Sequence, residues 1–189
     1  MNPYTEAPTR LRKTGAADKV ALMEAAAEHA ADDRQFAERV LYEVRNAGND
    51  ASEQAAEWAK FCEALPYRRE QQEVYRAVNE VVGIGSDKPL GGDCDDIVVV
   101  FVAGCLSLGI PAKVELLCDD QGWGFHVRAV VGLPPHNPTY WQVVDPVWKS
   151  EKEWAMVGKD PRCSALTAAS PESVGGYPTP PMPYREDAI

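Results

Sequence analysis

Residues 91–111 read GGDCDDIVVVFVAGCLSLGIP. A cysteine is ordinarily a small buried hydrophobe, yet Cys94 stands between Asp93 and Asp95, with Asp96 next, behind two glycines and ahead of an apolar run. A free thiol titrates near 8.5 and is mostly protonated at neutral pH. A helix N-terminus and a neighbouring imidazolium both stabilise the thiolate that does nucleophilic chemistry. Acyl transfer also needs a histidine to return a proton to the leaving group and a carboxylate to fix that histidine's tautomer. His126 in GFHVRAVVG and Asp145 in YWQVVD complete such a set, in the order Cys, His, Asp. Asp95 and Asp96 oppose a thiolate unless their side chains turn towards the helix amides or a basic partner.

The elements that would position these residues can be read from spacing. IVVVFV is β-branched and would suit a buried strand, but the apolar run continues to Leu108, longer than a typical strand. Asp93 is an N-cap type, Asp95 and Asp96 favour the positive end of a helix dipole, and Gly109 with Pro111 forms a stop. The spacing therefore predicts a helix over 94–108 that is buried on nearly all sides. Cys105, about three turns on from Cys94, is expected in the core. AKVELLC (112–118), GFHVRAVVG (124–132) and YWQVVD (140–145) read as three strands. Alternation sets His126, Arg128 and Val130 on one face, and Trp141, Val143 and Asp145 on one face of the next strand. If those strands are neighbours, His126 and Asp145 meet.

The first half is helical in pattern. A helix is expected over 17–31, and a second is capped by Asp32 or Asp33 with Phe36, Val40, Leu41 and Val44 on one face and Gly48 as its stop. A third is capped by Asp50 or Ser52, carries Ala55, Trp58, Ala59 and Cys62 on one face, and halts before Pro66. EVYRAVNEVV places Val74, Val78, Val81 and Val82 at helical spacing. A short helix is expected from a Ser150–Glu153 capping box. The end of the chain carries Pro161, Pro171, Pro178, Pro180, Pro181 and Pro183 and reads as an extended arm.

Composition bounds the function. The 189 residues are 45% hydrophobic and 25% charged, ordinary for a globular chain, and the formal charge of −10 argues against nucleic-acid binding. Five cysteines form no CxxC pair and no metal pattern with the three histidines, which reads as reduced thiols in a cytosol-like compartment. The N-terminus has no apolar signal-peptide core, and no run approaches a membrane span. No metal or cofactor is expected. The DDQGWG loop lacks the ligand count of a calcium loop, and a site built from Asp93, Cys94 and Asp96 is not expected either. Cys62, Cys118 and Cys163 have no assigned role, and His29 and His136 are expected to face solvent.

GDCDD, LGIPAKV, HVRAVV and WQVVDP, in that order, resemble the transglutaminase-like superfamily, the papain-like group with Cys, His and Asp in this sequence. The resemblance runs over about 54–148 and is strongest from Gly92 to Pro146; WAKFCEALPY is similar to the helix before the site in small bacterial and phage-borne members. It implies an α+β fold in which a cysteine-bearing helix packs on an antiparallel sheet. Cys94 is then the nucleophile, His126 the general acid/base and Asp145 the orienting carboxylate. A second oxyanion donor is needed beside the Cys94 N–H, and Trp58, Gln71 and Gln72 are the candidates upstream. The implied organisation is an N-terminal helical extension (1–50), a catalytic domain (51–158) and a proline-rich arm (159–189). The implied activity is a cysteine peptidase or amidase acting on a peptide or protein through a thioester. Transglutaminase-type transfer to an amine is the first alternative, and a non-enzymatic binding or virion-associated protein that kept the scaffold is the second. The expected location is cytoplasmic, or the virion if the chain is phage-encoded.

Overall fold

The computed structural model describes residues 16–68, 76–118 and 124–147. They form α1 (Ala16–Ala31), α2 (Arg34–Val44), α3 (Ala51–Glu63), α4 (Val78–Val82), α5 (Cys94–Ser107), β1 (Ala112–Cys118), β2 (Gly124–Leu133) and β3 (Tyr140–Val144). The helices pack on a three-stranded antiparallel sheet of order β1-β2-β3, an α+β architecture. Val74, the Ser150–Glu153 helix and the proline-rich arm lie outside the described residues, as does the Cys118 side chain. Among the described residues no helix is long and apolar enough to cross a membrane.

The run with strand-like composition is helix α5, and every residue from Asp95 to Cys105 is buried. Its C-terminus explains why a helix wins. Gly109 adopts φ 72°, and the amides of Gly109 and Ile110 donate to the carbonyls of Leu106 and Cys105, both at 2.9 Å. This is a Schellman closure, which only a residue at ease in the left-handed region permits. At the other end Asp93 holds the N-cap position, but its side chain makes no capping hydrogen bond. In that respect the sequence expectation is corrected.

α2 and α3 are capped by aspartates as their spacing requires. Asp33 accepts from Phe36 N at 2.9 Å and Asp50 from Glu53 N at 2.9 Å, so Asp33 and Asp50 take the caps and Ser52 lies inside α3. Phe36, Val40 and Val44 form the buried stripe of α2, whereas Leu41 is 58% exposed. Leu41 stands about 100° around the helix from Val40 and so falls beyond the face that meets the core. α1 and α2 both pack against α5, and α1 also against β1. The residues before 51 therefore share one core with the site-bearing elements. Glu24 on α1 fastens this packing by accepting from the Val114 amide of β1 at 3.3 Å.

Candidate active site

Cys94 is the first residue of α5, two residues after Gly92. Gly92 is fixed by its neighbours. It pairs with Tyr67 in a parallel bridge, its carbonyl accepts from Arg68 N at 2.8 Å, and its amide donates to Pro66 O at 3.1 Å. The chain leaving α3 is thus laced to the entrance of α5. On the other side the Val127 backbone N–H favours the Cys94 thiolate. That amide belongs to the peptide joining His126 to Val127, so the thiol lies beside the histidine's own backbone.

The β2–β3 register sets Ala129 opposite Val144, with Asp145 just past the end of β3. From there Asp145 Oδ2 lies 2.6 Å from His126 Nε2, and Oδ1 accepts from Val147 N at 3.0 Å. The second bond closes a turn around Pro146, the usual use of an aspartate two residues before an amide donor. Both carboxylate oxygens are therefore held, and the two side chains are each 2% exposed. The diagonal meeting across two strands follows from the antiparallel register and the common face.

Trp58 does not turn its indole towards Cys94. Its Nε1–H is shared between the Val100 and Phe101 carbonyls, at 3.3 and 3.1 Å, in the middle of α5. Phe61 stacks on the ring at 4.8 Å and Phe36 meets it edge-on at 5.9 Å. A Cβ on Gly104 would lie 2.0 Å from Nε1. The bare glycine is what admits the indole, and an otherwise costly mid-helix glycine was the sequence signal for that close approach. Gln71 and Gln72 lie outside the described residues.

The electrostatics run against the expected low-pKa thiol. Burial pushes Cys94 up to about 12, and the carboxylates of Asp95 and then Asp93 add to it; the Val127 amide and Lys19 of α1 work the other way. The ligand atoms of Asp93, Cys94 and Asp95 lie within 4.8 Å of one another. Among the described residues these three could hold a metal ion, although acidic groups of this kind are common without one. Asp96 turns away from the thiol. It accepts from Arg76 N at 2.9 Å and from Arg76 Nη1 at 3.0 Å, and burial raises it to about 7. Cys62 and Cys105 are buried, with thiols pushed up by desolvation, and His29 and His136 are exposed. The Arg76–Asp96 pair, the Val127 amide and the reach of Lys19 were all missed by sequence reasoning. Each joins residues from separate elements and leaves no local pattern.

The family model of the transglutaminase-like superfamily matches residues 26–146. Among solved structures the chain is similar to one described as the crystal structure of a TGase, at 14% identity and a TM-score of 0.39. That likeness covers 85% of this chain and 43% of the other, so this chain spans less than half of that one's length. A search of the curated proteins finds no match. With the family pattern extending over well over half of the 189 residues, and with helices packed on an antiparallel sheet, this chain belongs to the transglutaminase-like superfamily.

Proposed function

We propose that the chain is a thiol-dependent amide or peptide hydrolase in which Cys94 is the nucleophile, His126 the acid/base and Asp145 the orienting carboxylate. The observation that carries the reading is the enclosed His126–Asp145 pair at 2.6 Å, with the neighbouring Val127 N–H favouring the Cys94 thiolate. Asp145 Oδ2 accepts the Nε2–H hydrogen bond, which leaves Nδ1 as the ring atom to exchange a proton with sulfur. A thiol raised to about 12 is not a standing thiolate. The S–H proton therefore passes to His126 as sulfur attacks the carbonyl carbon. The Cys94 N–H, at the positive end of α5, faces the developing oxyanion. His126 returns the proton to the departing amine and leaves a thioester. Water then adds with His126 as base, and the sulfur leaves and recovers its proton. Gln71 or Gln72 remains a candidate second oxyanion donor; Trp58, engaged with α5, does not. The free thiols suit a reducing, cytoplasm-like compartment.

Water is the acceptor we favour, because bulk water competes for any open thioester. The charge of −10 would attract a lysine amine and so favours transfer slightly. One observation favours the binding-protein reading, namely that burial, with the Asp95 and Asp93 carboxylates adding to it, holds Cys94 protonated. The test incubates the protein with a peptide mixture and a labelled primary amine and reads products by mass spectrometry. Cleaved or deamidated peptide that requires Cys94 supports hydrolysis. Predominant amine adducts overturn it in favour of transfer, and no product of either kind favours the binding protein.

A further inference from the structure

Asp96 is the enclosed charge beside Cys94 that the reaction above leaves unused. Its side chain is 1% exposed, and both oxygens are committed to Arg76: Oδ1 to the backbone N–H and Oδ2 to the guanidinium. The space it fills is made by Gly92, where a Cβ would lie 2.3 Å from Asp96 Cβ and 2.4 Å from Oδ2. Arg68 and Arg76 are thus each held by residues close in sequence to the nucleophile. Arg68 is held by the Gly92 carbonyl, two residues before Cys94, and Arg76 by Asp96, two residues after it.

We propose that Asp96 is a positioning residue for the Cys94 reaction, its ionised carboxylate holding Arg76 against the first turn of α5. The inference rests on the proposed role of Cys94. A carboxylate that only filled space would be replaceable by an uncharged isostere. This one receives a backbone N–H and a cation from a single residue, and a neutral group cannot serve both equally well. The charged groups acting on it are Arg76, from the chain before α4, and Asp95 on its own helix. On the Gly92 side it meets a glycine. Burial, the largest influence, lifts its titration to about 7, so the holding form is gained as pH rises through neutrality.

The test measures kcat/KM for p-nitrophenyl acetate against pH in the full chain and in Asp96→Asn, Arg76→Gln and the double variant. In parallel, the Asp96 carboxyl carbon and the Arg76 amide are followed by NMR titration of the unsubstituted chain. The expected result is a loss on the order of 10- to 100-fold at pH 8 in either single variant, the scale of a small misplacement of reacting groups. The double variant should lose no more than either single one, and Asp96→Asn should lack the rise near pH 7. The carboxyl should titrate near 7 with the Arg76 amide shifting in step. If Cys94→Ala leaves turnover unchanged, the nucleophile reading falls, while the NMR titration still reports on the Asp96–Arg76 link. If Cys94 is required but Asp96→Asn keeps both rate and pH profile, the positioning role is overturned. Where a variant does not fold, the titration decides: an Arg76 amide that does not shift as the Asp96 carboxyl titrates overturns the proposal.

Discussion

Replacing Asp95 by Asn should make Cys94 more acidic and faster to alkylate. With a pKa of about 12, the thiol is ionised at pH 7 in about one molecule in 10⁵, against about three in a hundred for a free cysteine. The carboxylate oxygen lies no more than 4.8 Å from the sulfur. At that distance two unit charges repel by about 3.5 kcal/mol for an effective dielectric of 20 and about 1.7 kcal/mol for 40. Neutralising Asp95 should therefore lower the thiol by about 1.3 to 2.5 pKa units. The more acidic sulfur is also a weaker nucleophile, with a Brønsted slope of about 0.45, so the net gain at pH 7 is about 5- to 25-fold. Asparagine keeps the Oδ1 that accepts Asp96 N at 3.1 Å, so the helix start is preserved. The assay is the rate of iodoacetamide labelling from pH 6 to 11, mapped to Cys94 by peptide mass spectrometry, with buried Cys62 and Cys105 as internal references. An unchanged or slower rate in Asp95→Asn would refute the electrostatic reasoning, and so would labelling in the unsubstituted chain with a midpoint below 8.

Three further outcomes follow from the same geometry. Gly104→Ala should destabilise the chain by about 1–3 kcal/mol in urea unfolding despite alanine's better helix propensity, because its methyl would meet the Trp58 indole between Phe36 and Phe61; an unchanged midpoint would mean the indole is not seated there. Asp145→Asn should keep its melting temperature to within a few degrees while turnover falls on the order of 10²–10⁴-fold; lower melting with normal turnover would make Asp145 a structural strand-end residue. Asp96 is raised in the fold to about 7 from an unfolded value near 3.9. Its stability contribution is thus full below about pH 4 and lost as pH rises to 7, on the order of 4 kcal/mol. Asp96→Asn should flatten that slope in denaturant titrations across pH 4–7, and an identical slope would mean that Asp96 is not raised in the fold.

What was legible in the sequence was what local pattern encodes. The run after Cys94 has strand composition but helix punctuation, and Gly109 with Ile110 decides the matter by closing the end. His126 and Asp145 could be brought together on paper because antiparallel register and side-chain alternation are both local rules. Leu41 was misplaced because an apolar residue at the margin of a stripe is counted with it until the width of the partner surface is known. The acidity of Cys94 was misjudged for a related reason. Helix dipole and histidine can be inferred from the order of residues, whereas desolvation depends on how the sheet and α1 close over the thiol. The Trp58 and Arg76 contacts join residues roughly 20 to 43 positions apart, and no periodicity announces them.

The central claim is that Cys94 carries the acyl group, and rapid-quench mass spectrometry of the protein with an activated acyl donor tests it most directly. The expected result is a transient mass increase equal to the acyl group, located on the peptide containing Cys94 and released by hydroxylamine. It should be absent in Cys94→Ala and slower to form in His126→Ala. Acylation at another residue, or turnover that persists without Cys94, would contradict it.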